Sequence, residues 1–367
     1  MKKHHHNSIT LMQYIFIIVG TQVGVGIFSL PVEVAETAGT DGWMSIILGW
    51  FVAVLVSLAI INVMKRHPND TVFDLLKRYF GKWLGGIGIG LWIIYTAFAA
   101  FTVIMMYIHI LQIWVLPVTS TYMLAILLLV PMYMVARDGV RVIGRYAELI
   151  FFLAIWIPFL ILSNITESRL IYILPPLKEG LLPVIAATRE TLFAFLGFEL
   201  AFLFYSYLDK KEYAIIGVIA ANTISMMIFL MITLTSFTYF SPDEILQYIW
   251  PTLMLLKPIE FTIIERFEIL ILTFYLFVVS TTVIPYLFTA AFGTGLLFKL
   301  QSHKGPLKVF ILMFIGVSYI VYFDRYLLGL AVDTFSKMGL IFAYLFPVLL
   351  FLYILVCRVI KGEPKSD

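Results

Sequence analysis

Long apolar segments alternate with short polar loops along the whole chain. A helix needs about twenty apolar residues to cross the hydrocarbon core of a bilayer. On that basis we predict ten transmembrane helices, near residues 9–30, 42–64, 84–111, 122–135, 143–162, 181–208, 213–240, 269–300, 307–323 and 335–359. The pattern therefore predicts an all-α integral membrane protein in which residues 1–367 form a single membrane domain.

The ten segments divide into two sets of five, residues 9–162 and residues 181–359. An odd number of spans in each half forces the second half to insert upside down relative to the first. This is the geometry of an inverted repeat. We therefore expect a five-plus-five inverted repeat, in which the first and sixth helices correspond.

Glycines interrupt both of these corresponding helices. The first contains Gly24-Val25-Gly26-Ile27-Phe28 and the sixth contains Phe195-Leu196-Gly197-Phe198-Glu199. A broken helix at mid-membrane depth persists only where it lines a protected polar cavity, because hydrocarbon offers no partner for freed backbone groups. The matched breaks predict a binding site for a small solute, whereas a close helix–helix contact through small residues is the alternative.

The two breaks would present opposite partial charges. Backbone N–H groups at the start of the second half of helix 1 suit a carboxylate, and carbonyl groups at the end of the first half of helix 6 suit an ammonium group. Such a pair predicts a receptor for the zwitterionic head of an amino acid. The candidate ligand-binding residues at the breaks are Gly24, Val25, Gly26, Ile27, Phe193, Ala194, Phe195, Leu196 and Gly197.

Glu199 lies just after the second break, and an acidic residue at this depth is costly and usually functional. It would either gate the site or lock the broken helix in place by bonding to its backbone. Thr282 and Tyr286 share a face of helix 8 and would contact the ligand, unless the threonine bonds to its own helix. In helix 3, Tyr95, Thr96, Phe98 and Ala99 would line the pocket or serve ordinary packing.

Two further features concern the side of the membrane that carries the entrance. Arg189 and Glu190 would pair along an aqueous entrance or cap a helix that starts late. Residues 241–258 begin with a plausible helix cap at Ser241 and carry apolar residues at helical spacing, so we expect an outer amphipathic helix over the site or at a partner contact.

On the opposite side of the membrane, we expect residues 69–82 to form a short surface helix.

Composition and charge narrow the class of protein. The chain is 62% hydrophobic and 13% charged, against roughly half and about a quarter in soluble domains. Its net charge of +3 is spread over loops and indicates no nucleic-acid partner. With the N-terminus inside, 18 lysines and arginines lie on the cytoplasmic side and six on the other, so both termini are expected in the cytoplasm.

Catalytic chemistry has little support in the sequence. The single cysteine, Cys357, lies in the last apolar segment, and the histidines lie in the N-terminal tail, in loops or near helix ends. Neither metal-ligand spacing nor a nucleophile with its base is evident, so we expect no enzyme, no cofactor and no metal site.

The residues at the two breaks resemble the amino acid–polyamine–organocation permease superfamily, whose LeuT-like fold binds amino acids there. Residues 38–43 (AGTDGW), 66–71 (RHPNDT) and 80–85 (FGKWLG) resemble the GerB family, the permease-like B subunits of bacterial spore germinant receptors. This resemblance implies a sensor for an amino-acid-like nutrient, with receptor A and C subunits as partners, in the spore inner membrane or the cell membrane.

The resemblance also leaves an alternative function. Proton-coupled permeases often have a lysine in helix 5, whereas this segment contains Arg145 and Glu148 near its cytoplasmic end and no lysine. The alternative to a receptor subunit is an ion-coupled amino-acid transporter on the same fold.

Overall fold

The computed structural model describes residues 8–163, 168–178, 180–259 and 266–361, with side chains to residue 357. Within these ranges the regular secondary structure is helical, and no β-strand is present apart from an isolated bridge between Ile9 and Leu208. The α-helices, in chain order, are α1 Leu11–Gln22, α2 Leu30–Ala38, α3 Gly42–Arg66, α4 Val72–Trp114, α5 Thr121–Ala136, α6 Val140–Ala154, α7 Trp156–Ile161, α8 Leu181–Ala194, α9 Ala201–Phe204, α10 Ala214–Tyr239, α11 Pro242–Ile245, α12 Pro251–Met254, α13 Phe267–Leu297, α14 Lys304–Ile320, α15 Arg325–Gly339 and α16 Phe346–Lys361.

In the described ranges, six helical stretches are long and apolar enough to cross a membrane, and a bent pair raises the number to seven. The bent pair is α8 with the helical residues that follow it, Phe198–Tyr207. Because the chain has many such helices, it is a multi-pass membrane protein.

The first apolar segment is not one continuous helix. Helix α1 begins with a capping box formed by Thr10 and Gln13 and ends at Gln22. A 3₁₀ turn, Val25–Phe28, separates it from α2. Gly24 begins this turn with φ −105° and ψ −147°, which is outside the helical region.

The sixth apolar segment bends sharply. Helix α8 ends at Ala194, and the chain resumes as a 3₁₀ turn, Phe198–Leu200, followed by α9. The two parts differ in direction by 49°. Gly197 lies between them with φ 127°, a conformation that side-chain-bearing residues rarely adopt.

Helix α4 contains the short helix predicted from residues 69–82. Its first part, residues 72–80, is separated from the long apolar part by Gly81, whose φ of 75° is not helical. A capping box formed by Thr71 and Asp74 fixes the start of the first part, with 2.9 Å between the Thr71 amide and the Asp74 carboxylate.

Two elements differ from the prediction. Residues 241–258 form the short helices α11 and α12 rather than one amphipathic helix, because Pro251 cannot continue a helix from the preceding residues. Helix α15 begins ten residues before the predicted start of the last segment, at Arg325, where Asp324 caps it. It continues through a π-helical stretch, Leu340–Leu345, into α16.

Candidate functional site

The two helix breaks lie against each other in the centre of the bundle. The Gln22 side-chain amide, at the end of α1, donates to the Phe195 carbonyl just after α8, at 3.0 Å. A Cβ atom placed on Gly197 would lie 2.8 Å from the Thr21 side chain, so only glycine allows this approach. The structure therefore brings the break residues of both segments together.

A buried amide cluster surrounds this contact. Gln22 also donates to the Asn222 side chain at 2.8 Å and accepts from the Ser225 hydroxyl at 2.6 Å. Asn222 in turn donates to the Ser57 hydroxyl at 3.1 Å and to the Val218 carbonyl at 2.8 Å. The cluster ties α1 to α10 and α3, and every amide hydrogen of Gln22 and Asn222 has an acceptor. A fully paired polar cluster of this kind holds one specific packing.

The carbonyl of Phe195 was expected to be unpaired, but Gln22 occupies it. The Phe193 carbonyl accepts from the Leu196 amide at 3.1 Å, and the Leu192 carbonyl accepts from the Tyr344 hydroxyl at 2.7 Å. Gln22 and Asn222 are absent from the candidates predicted from the sequence. The available signal was an amide side chain in the middle of each of two apolar segments, because buried polar groups in membranes need partners.

Glu199 is fully buried and bonded by three donors. One carboxyl oxygen accepts from the hydroxyls of Tyr95, at 2.7 Å, and Tyr286, at 2.8 Å. The other accepts from the Gly197 amide at 2.7 Å. None of the described residues forms an ion pair with this carboxyl group. The side chain thus joins α4, α13 and the second break.

The glycines of the first break have different surroundings. A Cβ atom on Gly24 would lie 2.9 Å from the Thr282 hydroxyl, whereas one on Gly26 would meet nothing within 4 Å. The Gly24 carbonyl accepts from Tyr275 at 2.9 Å, and the Ile27 carbonyl accepts from Thr252 of α12 at 2.9 Å. Gly24 therefore serves helix packing, and Gly26 is the position where the backbone faces open space.

The threonine hydroxyls of α13 and α4 near the breaks bond to backbone carbonyls. Thr282 donates to the Gly20 carbonyl of α1 at 2.7 Å, and Thr281 donates to the Val278 carbonyl of its own helix at 2.6 Å. Thr96 donates to the Trp92 carbonyl at 2.9 Å, within α4. Phe98 is half-buried and packs at the edge of the core.

Aromatic rings fill the space between the second break, α4 and the last helices. Phe342 stacks on Tyr95 with 5.0 Å between ring centroids. Phe198 contacts Tyr344 at 5.1 Å, and Phe193 contacts Phe335 at 5.3 Å. Two of these rings, Phe342 and Tyr344, belong to the π-helical stretch, so this stretch packs directly against the break.

A polar cavity of about 420 Å³ lies between α2, α4, α8 and α15. Ser29, at the end of the first break, and Phe193, at the start of the second, line it. Arg189 and Glu190, which the sequence placed at an entrance, both line it too, and they form no ion pair with each other. An accessible polar cavity therefore reaches both breaks.

Known proteins with similar sequences share one description. A sequence profile described as spore germination protein matches residues 8–326. The spore germination protein GerQB of Bacillus cereus is 24% identical over 339 residues, covering 91% of this chain and 92% of GerQB. The spore germination protein YndE of Bacillus subtilis (strain 168) is 27% identical over 364 residues, covering 94% of this chain and 95% of YndE.

A solved structure has a similar fold. The substrate-bound outward-open state of a Na⁺-coupled sialic acid symporter matches with a TM-score of 0.65, covering 93% of this chain and 80% of the symporter. Sequence identity is 11%, so the similarity concerns the fold alone.

The family profile covers most of the chain, and the relatives align over nearly their whole length. The permease-like, B-type character predicted from the sequence is thereby confirmed, and the chain belongs to the spore germination protein family.

Proposed function

We propose that the chain is the germinant-sensing subunit of a receptor. We propose further that it binds a small nutrient of the amino-acid class at the two helix breaks. The observation that carries this proposal is the contact between the breaks, with the Gln22 amide on the Phe195 carbonyl and open space at Gly26. Freed backbone groups at mid-membrane depth are found where a solute site needs them.

The proposed topology is a LeuT-like inverted repeat of ten transmembrane helices, with residues 9–162 and 181–359 as the two halves. In this topology α1 and α2 are the halves of helix 1, and α8 and α9 belong to helix 6. Both termini lie in the cytoplasm, and the membrane is the spore inner membrane or the cell membrane. The polar cavity then opens on the outer face, where a nutrient arrives.

In the bound state, N–H groups of the turn at Val25, Gly26 and Ile27 receive the carboxylate of the nutrient. Its ammonium group approaches the carbonyls that end α8. Since Gln22 holds the Phe195 carbonyl, binding there requires the Gln22 amide to move or to share its acceptor. Ligand occupancy and the contact between the breaks are thereby coupled.

Sensing requires only that the nutrient prefer one conformation of the bundle over another. A preference of about 1.4 kcal/mol shifts a two-state equilibrium about tenfold. Glu199 is placed to transmit such a shift, because it bonds to the second break and to both α4 and α13. We propose that receptor A and C subunits read the resulting change.

Thermal unfolding of the purified protein with each common amino acid tests the binding site. Gly26→Leu adds a side chain into open space, so we expect normal insertion and folding together with a reduced ligand-dependent stabilisation. Gly316→Leu is the matched control, since its Cβ also meets nothing within 4 Å and it lies in α14, away from the breaks. Full ligand-dependent stabilisation in folded Gly26→Leu would overturn the assignment.

An ion-coupled amino-acid transporter is the second candidate, supported by the fold shared with a Na⁺-coupled symporter. Repeated transport needs alternating access, usually driven by a coupled ion. We expect liposomes containing this chain alone to bind the amino acid without concentrating it. Accumulation driven by a sodium or proton gradient would replace the receptor proposal with the transporter.

A further inference from the structure

The polar cavity between α2, α4, α8 and α15 carries charges that the protein leaves unpaired. Glu33, Arg189, Glu190 and Arg325 all line it. None of these four forms an ion pair with a described residue. Charged groups that face each other across a concave site without neutralising each other are available to a ligand of matching charge.

The cavity has an excess of opposite charge in two different parts, although Arg189 adjoins Glu190 in α8 and Asp333 lies on α15 with Arg325. Glu33 of α2 lies close enough to Glu190 and to the Ser29 hydroxyl for both to act on its carboxyl group. Arg325 of α15 lies close enough to His109 of α4 for its charge to act on the imidazole ring. Arg189 offsets only one of the two carboxylates, so the part near Glu33 and Glu190 keeps an acidic excess. Lys337 pairs with Asp333, so the part formed by α4 and α15 keeps the positive charge of Arg325.

The remaining lining is apolar. Met106 and Ile110 of α4, Leu328 of α15 and the ring of Trp250 supply hydrocarbon surface between the charged groups. The volume of about 420 Å³ falls within the range of small-molecule sites. The acidic groups match the ammonium group of an α-amino acid, the guanidinium group matches its carboxylate, and the hydrocarbon surface matches an apolar side chain.

We propose that this cavity is a second binding site, separate from the breaks, for an α-amino acid with an apolar side chain. Glu33 and Glu190 receive the ammonium group, and Arg325 receives the carboxylate. The inference rests on the proposed function in one respect, because the solute is of the same class and passes from this site to the breaks. Ser29 and Phe193 lie on that path.

Cysteine protection tests the site directly. Cys357 is the only cysteine of the chain, so Cys357→Ser gives a cysteine-free protein into which Ser336→Cys is introduced. Ser336 lines the cavity and is half-buried. The purified protein in detergent is labelled with a charged methanethiosulfonate in the presence of L-valine, L-leucine or L-phenylalanine, and of the amide and the N-acetyl derivative of each.

We expect at least one free amino acid to slow labelling about tenfold, and its amide and N-acetyl derivatives to fail, because each lacks one charge. Glu33→Gln, Glu190→Gln or Arg325→Gln should raise the concentration needed for protection about tenfold. Asp243→Asn, an exposed acidic residue outside the cavity, should leave it unchanged. Absence of protection, or equal protection by the singly charged derivatives, would overturn the proposal.

A combined variant separates this site from the one at the breaks. Gly26→Leu in the Ser336→Cys protein should lose the part of the thermal stabilisation that comes from the breaks, while the amino acid bound in the cavity still stabilises the fold and protects the introduced thiol from labelling. Protection lost together with stabilisation would show a single site at the breaks and refute the second site. Thermal stabilisation of the wild-type protein without any protection in Ser336→Cys would refute the second site and leave the proposed function standing.

Discussion

Glu199→Gln gives the sharpest test of how the second break is held. The carboxyl group accepts three hydrogen bonds, from Tyr95, Tyr286 and the Gly197 amide. A glutamine amide of the same shape has one acceptor oxygen. If that oxygen accepts from the two tyrosines, the NH₂ group of the glutamine faces the Gly197 N–H, which then has no acceptor. If the oxygen accepts from Gly197, both tyrosine O–H groups lose their acceptor.

Either orientation leaves at least one buried donor unpaired. Such a group costs about 1–3 kcal/mol of stability, so the free energy of unfolding should decrease by about this amount. Tyr286→Phe should cost less, about 0.5–1.5 kcal/mol, because Glu199 keeps two donors and no polar group is orphaned. Both variants retain the size and shape of the original side chain.

Melting temperature of the purified variants, with and without amino acid, is the measurement. The double variant Glu199→Gln/Tyr286→Phe should be less destabilised than the sum of the two single changes, since both act on one hydrogen-bond cluster. A Glu199→Gln protein as stable as wild type, or strict additivity, would refute the reasoning. A change in the ligand response that exceeds the change in stability would assign Glu199 a role in gating.

Three further predictions follow from single contacts. Gln22→Met should lower the free energy of unfolding by about 1–3 kcal/mol for each buried partner left unpaired, and the Phe195 carbonyl is one of these partners. Thermal melts followed by circular dichroism measure this change, and wild-type stability would contradict the prediction. Gly197→Ala should destabilise more than an ordinary helix substitution, since its φ is 127° and the new Cβ would crowd α1; an unchanged melting temperature would exclude that strain. Burial lowers the pKa of His67 and nearby Arg78 lowers it further, although Asp70 acts in the opposite direction. The unfolded state therefore binds more protons, and stability falls as pH drops through about 6.5. His67→Gln should flatten the dependence of melting temperature on pH between 7 and 5, and a wild-type pH profile in this variant would contradict the prediction.

The sequence was informative where a single residue decides the backbone. Gly24 and Gly197 follow closely on the ends of α1 and α8, as the sequence predicts. Glycine is recognisable in this way because its lack of a side chain has a local effect on the chain. Glu199 was recognisable for a related reason, since a carboxyl group in an apolar segment needs partners.

The remaining features depend on which helices touch. The bond from Gln22 to Phe195 joins residues 173 positions apart, and hydropathy gives no indication that these two will meet. Helix α15 begins before the predicted segment, at Arg325, where Asp324 caps it, and Arg325 and Asp333 interrupt the apolar pattern of this extension and line the cavity. Apolar periodicity locates membrane spans and misses helical turns that carry such charged residues.

The π-helical stretch between α15 and α16 has a mechanical consequence. A π turn takes i→i+5 hydrogen bonds and holds roughly one residue more than an α turn. Since successive residues of an α-helix are about 100° apart, restoring α winding here would rotate α15 relative to α16 by about that angle. Such a rotation would carry Arg325 and Leu328 around the axis while α16 stayed in place against α3. The surplus residue gives the last helix a torsional degree of freedom that an uninterrupted α-helix lacks.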